Sequence, residues 1–156
     1  MLGNIRPIDQ KSELYQVMDL SKDSSHWTRL SLKEQDSTET SDIAYKAKRS
    51  ASIISLNSAC RTKADVEEKD LKKITQLLFM GISDLRIYSE RSLLIQGSPG
   101  LESTVQGKVE GEEMMLRTIV LRRNNCVYDL IYMARPNFFK ENEQDFAHFV
   151  DSLKLK

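Results

Sequence analysis

The chain has 156 residues, enough for one domain around a single core and too few for two. Its 23 lysines and arginines balance 23 aspartates and glutamates, which removes the global field that draws nucleic acid or anionic lipid. Apolar residues at 40% and charged residues at 29% describe a globular chain, and no apolar run approaches the roughly 20 residues of a membrane-spanning helix. The N-terminal stretch MLGNIRPIDQKSELYQ has no signal-peptide hydrophobic region. An export signal upstream of it is equally compatible with that start, so the compartment stays open.

Residues 1–25 are polar and aperiodic apart from ELYQVMDL, and are expected to form a loosely held N-terminal arm to a single domain over residues 26–156. In HWTRLSLKEQ, Thr28, Leu30 and Leu32 alternate with polar neighbours, the period of a strand with one wet face. IAYKAKRSASIISLNSAC reads as two strands broken near Lys48 to Ser50, a hairpin. TKADVEEKDLKKITQLLFMG reads as a helix: Thr62 can cap it, acids crowd its first turn, and Gly81 stands where a left-handed C-terminal residue belongs. Val66, Leu71, Ile74, Leu77 and Leu78 fall on one side of that helix, the side to pack on a sheet.

Four strand-like runs follow, LRIYSERSLLIQG, LESTVQGKVEG, EMMLRTIVLRR and CVYDLIYMA, an antiparallel meander punctuated by Gly and Asn. A two-residue turn at Asn124–Asn125 sets Leu121 opposite Tyr128, Val120 opposite Asp129 and Ile119 opposite Leu130. Both faces of this hairpin then carry apolar residues, with Leu116, Thr118, Ile131 and Met133 on the second, so the sheet is expected to be covered on both sides. After Pro136, Phe146, Phe149, Val150 and Leu153 stand at i, i+3, i+4 and i+7, one apolar stripe on a terminal helix.

The residues that could carry chemistry do not assemble into a catalytic set. GSPG at 97–100 is not a nucleophile elbow, since it lies between strands and reads as a turn. Gly97, Gly100, Gly107 and Gly111 form no phosphate loop and read as hairpin and bulge glycines. His148 follows Asp145 by three residues on a helix surface, and with His26 the only other histidine, two ligands make a poor metal site. Lys108, Arg117, Arg122 and Arg123 could gather into a basic spot, but Glu110, Glu112 and Glu113 interleave and cancel it, which disfavours nucleic acid. Cys60 and Cys126 lack a CxxC pair for zinc and a visible His partner for thiol catalysis. No cofactor, metal or catalytic residue is expected.

Three stretches carry a resemblance: DIAYKAKRSASIISLNSAC ahead of a helix, LLIQGSPGLESTVQGKVEGEEMMLRTIVLRR as the meander, and CVYDLIYMARPNFFKENEQDFAHFVDSL as the end. Over roughly residues 25–156 the chain resembles the Mog1/PsbP-like fold, and within it bacterial lipoprotein-like proteins. It lacks the Pro-Gly pair with which the fold usually enters the strand at Trp27. The resemblance implies an α+β fold, a mostly antiparallel sheet with helices packed on both faces as an α/β/α sandwich. It also implies a non-enzymatic binding or accessory role in the bacterial cell envelope, as the soluble part of a lipoprotein anchored upstream of this sequence, with no other membrane contact. The alternative it offers is a cytosolic protein-binding adaptor. In this fold the strand ending at Cys60 comes near the start of the strand carrying Cys126. The pair is then a disulfide in an oxidising compartment, or two buried thiols in a reducing one.

Overall fold

The structure, a computed structural model, describes residues 14–22, 24–31, 42–60 and 70–156. Thr62, Val66 and Leu32, named above as a cap, a helix-face residue and a strand residue, lie outside the described residues.

Among the described residues, nine strands and two α-helices follow one another along the chain: β1 (Tyr15–Gln16), β2 (Trp27–Arg29), β3 (Ile43–Ala47), β4 (Ile53–Cys60), α1 (Asp70–Leu78), β5 (Ser83–Ile95), β6 (Ser98–Val109), β7 (Glu112–Arg123), β8 (Cys126–Ala134), α2 (Glu143–Ser152) and β9 (Lys154–Leu155). The fold is α+β and mostly antiparallel. Seven strands form one sheet in the order β2-β3-β4-β8-β7-β6-β5, and β1 pairs with β9 in a separate ribbon. The chain leaves β4 in the middle of the sheet, passes through α1 to the far edge, and meanders back until β8 closes against β4.

Tight turns set the meander's register. Gln96 and Gly97, then Glu110 and Gly111, adopt positive φ, the backbone of two-residue hairpin turns whose twist matches the flanking strands. Asn124 does so alone at the third turn, at φ 57°. Around it Val120 faces Asp129, Leu121 faces Tyr128 and Ile119 faces Leu130, the pairing the Asn-Asn turn implies. The GSPG stretch is not itself a turn: the turn is Gln96–Gly97, and Ser98–Gly100 already belong to β6. Gly107 lies opposite an irregularity in β5 between Ser83 and Arg86, where a Cβ would stand 2.5 Å from Ile82 Cγ2 and 2.9 Å from the Ser83 carbonyl oxygen.

Neighbouring strand residues point to opposite faces. Ile119, Leu121, Tyr128, Leu130 and Tyr132 join the large core with Phe146, Phe149 and Leu153. Tyr132 stacks on Phe139 and Phe146, and Phe149 meets Tyr45 edge-on at 6.0 Å. Val120 and Val127, of opposite parity, pack with Leu71, Ile74 and Leu78 of α1, while Phe79 sits with Val105 and Leu116. Leu77, placed on the packing side of α1 by its spacing, is 64% exposed. Leu71, Ile74 and Leu78 keep an i, i+3, i+7 line, and Leu77 falls beyond its edge.

One further expectation is corrected. The strand at residue 27 presents Trp27, not Thr28, to the core: Trp27 is buried opposite Ala47, and Thr28 and Arg29 are exposed. The indole decides this, because it brings the largest apolar area of the segment and finds a partner for its N–H in Asp145 Oδ2 at 2.9 Å. Part of the N-terminal arm is also built into the fold. Tyr15 and Leu20 are core residues, β1 pairs with β9, and the Lys156 amide donates to the Leu14 carbonyl at 2.9 Å. Among the described residues of this segment Tyr15 and Leu20 are buried, and the C-terminus supplies the strand with which Tyr15 pairs.

Candidate functional site

A helix is about 10 Å across and strands are spaced about 4.8 Å apart, so one helix cannot cover a seven-stranded sheet. α2 lies over the central strands, and a groove of about 740 Å³ opens between it and β5, β6 and β7. That volume falls in the range that holds a small molecule or a few residues of a peptide. Leu93, Ile95 and Ile119 rise from the sheet, and Phe146, Ala147 and Val150 descend from α2.

Both arginines of this groove are paired, while Gln144 and Asp151 of α2 also line it. Arg91 Nε donates to Glu102 Oε1 at 2.6 Å across the β5–β6 hairpin. Arg117 Nη1 donates to Glu143 Oε2 at 2.7 Å, its Nε donates to Thr104 Oγ1 at 3.1 Å, and its guanidinium lies 5.2 Å from the centre of the Phe139 ring. At the other end, the Gln96 side chain donates to the Leu153 carbonyl and accepts from the Leu155 amide at 3.0 Å, tying the hairpin tip to the C-terminus. Each guanidinium is matched by a carboxylate, Asp151 adds one further acid to the lining, and the groove offers mixed polar and apolar surface.

Behind α2, a buried polar network joins parts of the chain far apart in sequence. Asn142, just before α2, donates through Nδ2 to Ser50 Oγ at 3.1 Å and Ser52 Oγ at 3.4 Å, and those hydroxyls bond each other at 2.7 Å. Its Oδ1 can only accept, so His26 Nε2, at 2.7 Å, is the donor there. At the opposite end of the β3–β4 hairpin, Asp42 Oδ2 accepts from Tyr15 Oη at 2.9 Å and from Ser58 Oγ at 2.5 Å. Burial, and secondarily Asp42, raises the Tyr15 phenol far above the usual tyrosine range, and burial first, then Asp19, pushes Tyr45 up to about 12. On the other face burial raises Asp129 to about 6, against the lowering effect of a hydrogen bond with Asn57.

The residues singled out from the sequence are dispersed. His26 is held by Asn142, Asp145 is taken by the Trp27 indole, and His148 is exposed on α2, so Asp145 and His148 do not act as a pair. Arg122 and Arg123 are adjacent on β7 and project to opposite faces; Lys108 lies 3.6 Å from Asp84, and Arg123 reaches Ser98 Oγ and the Gln96 carbonyl. No basic spot forms from them. Cys60 and Cys126 are directly opposite each other on β4 and β8, with Cα atoms 3.9 Å apart, and are joined as a disulfide. Among the described residues no group of three or more His, Cys, Asp or Glu is arranged to hold a metal ion, and no helix is long and apolar enough to cross a membrane. Sequence reading missed the groove, although Arg91 and Glu102 stand equidistant from the Gln96–Gly97 turn, and that symmetry was a signal for their pairing. Nothing local pointed to Glu143 as the partner of Arg117.

No family model matches the chain, and no curated protein matches its sequence. Solved structures do resemble it. LpqN of Mycobacterium tuberculosis, described as involved in cell envelope biogenesis, superposes with a TM-score of 0.60 at 12% identity over 91% of this chain and 83% of that one. The cyanobacterial PsbP (CyanoP) of Synechocystis sp. PCC 6803 gives 0.58 at 10% identity over 100% and 98%. A Pseudomonas aeruginosa protein of unknown function gives 0.56 at 14% identity over 92% and 98%. At such identities the likeness is one of fold.

Proposed function

The chain has the Mog1/PsbP-like fold, and on that footing we propose that it is a non-enzymatic binding or accessory protein of the bacterial cell envelope, the soluble part of a lipid-anchored protein. Its layers are read as α/β/α, with α1 over Val120 and Val127 and α2 over Ile119 and Leu121. The observation that carries the proposal is the groove beside α2. Its two guanidiniums are matched in the pairs Arg91–Glu102 and Arg117–Glu143, and its lining mixes apolar side chains with Gln144 and Asp151, which suits holding a partner through mixed contacts better than making or breaking bonds. The envelope assignment draws on the LpqN likeness. The Cys60–Cys126 bond accords with it, since such bonds persist in oxidising compartments.

The alternative is a cytosolic protein-binding adaptor on the same fold. Fractionation of the native host separates the two: recovery with the envelope and no free thiol supports the first, and recovery in the cytosol with two free thiols refutes it. For the groove, a photo-crosslinking residue is placed at Val150, with Lys140 outside the groove as control. Adducts from position 150 and not from 140 are expected. Equal yields from both positions, or none from either, refute the groove as the binding site.

A further inference from the structure

The two helices are anchored very differently. α2 brings Phe146 and Phe149, 2% and 0% exposed, into the large core. Polar ties add to this: Trp27 to Asp145, Arg117 to Glu143, and the Met18 amide to Ser152 Oγ at 3.1 Å. The described part of α1, Asp70–Leu78, meets the sheet through Leu71, Ile74 and Leu78, with Phe79 following it. Its one ion pair there, Lys72 to Glu90 at 3.6 Å, is surface-exposed and contributes little.

What lies beneath α1 is unusual. Along β6 and β7, Leu101 faces Val120, Ser103 faces Thr118 and Val105 faces Leu116, three successive rungs on the face toward the helix. α1 covers the outer rungs with Leu71 and Ile74 over Val120, and with Leu78 and Phe79 over Val105 and Leu116. The middle rung is a pair of hydroxyls, 1% and 0% exposed, and neither Ser103 Oγ nor Thr118 Oγ1 has a hydrogen-bond partner. Thr75, buried in the centre of α1, could have met them, but its Oγ1 donates back to the Leu71 carbonyl at 2.8 Å. A buried hydroxyl without a partner costs free energy that water would restore. Closing α1 therefore carries a penalty that opening it removes.

We infer that α1 is a lid: it lifts from the sheet as a unit, hydrating Ser103 and Thr118 and exposing the rungs Leu101–Val120 and Ser103–Thr118 of β6 and β7, while α2 and the rest of the sheet remain folded. The pivot is the C-terminal end of the helix. Phe79 is wedged at 6% exposure against Val105 and Leu116, and Gly81, at φ +92°, has open space around it.

Native-state hydrogen exchange tests this on the full chain with its disulfide intact. The amides of Ile74 to Leu78 are expected to show protection about 100-fold below those of Leu130 and Phe149, and to be insensitive to low urea, as a small local opening is. Protection within about tenfold of Leu130, falling with urea at the same slope, means that α1 opens only in global unfolding and overturns the inference. A double substitution, Ser103→Ala with Thr118→Val, asks whether the hydroxyls are the cause. Protection of α1 is expected to rise about tenfold; a fall, with α2 protection unchanged, shows that the hydroxyls support the closed lid and overturns it as well.

Discussion

Truncating Phe149 to alanine tests the placement of α2 directly. The ring is fully buried, lies edge-on to Tyr45 at 6.0 Å, and sits in the cluster with Leu121, Leu130 and Phe146. Removing it loses the transfer energy of the ring and leaves a cavity that packed aromatic neighbours close only in part, so Phe149→Ala should cost about 3–5 kcal/mol. The aromatic contact with Tyr45 lies within that figure and favours its upper half. For a chain of this length each kcal/mol lowers the melting temperature by about 3 °C, which gives a fall of about 9–15 °C. Thermal melts followed by circular dichroism, with the disulfide intact in both proteins, measure it. Val150→Ala, half-buried on the same helix, should fall by much less. A melting temperature for Phe149→Ala within about 3 °C of the parent would refute the docking of α2 on this core.

Gly107→Ala places a methyl against Ile82 and the Ser83 carbonyl, and should destabilise by about 1–3 kcal/mol in the same melts, whereas an unchanged melt would show that the irregularity in β5 does not need the glycine. Burial raises Asp129 to about 6 from 3.8, so between those values the folded chain binds more protons than the unfolded one. Its stabilising contribution is thus full below about pH 4 and lost as pH rises through about 6. Asp129→Asn should raise stability at pH 7 by on the order of 2 kcal/mol and flatten the profile between about pH 4 and 6; an unaltered profile would rule out Asp129 as its source. Protein from an oxidising compartment, denatured without reductant, should titrate no free thiol, and Cys126→Ser should lose about 4 kcal/mol for a bond spanning 66 residues. Two thiols per chain would refute the bond.

The meander is legible in the sequence because its information is local. A two-residue turn determines which residues oppose, so Asn124–Asn125 by itself places Ile119, Val120 and Leu121 against their partners. The stripe Phe146, Phe149, Val150 and Leu153 is legible for a similar reason: a helix turns at a constant rate, and its buried face is a spacing. Alternation alone misleads at β2, because a three-residue strand offers too few positions to vote, and the face is decided by where Trp27 can bury its ring and find Asp145, 118 residues away. Tyr15 looks like part of a polar arm for the same reason, its strand partner Leu155 lying at the far end of the chain.

The candidate site belongs almost wholly to tertiary structure. Its groove exists because α2 is narrower than the sheet it covers, and Arg117 meets Glu143 only after β7 and α2 have docked. The unpartnered hydroxyls of Ser103 and Thr118 are of the same kind. As sequence they are an ordinary serine and threonine on strands, and they become costly only when α1 closes over them, excludes water and brings no donor or acceptor in exchange. Sequence determines periodicity, turns and therefore the elements and their registers; burial, and the polar partners that burial demands, are settled only when those elements pack.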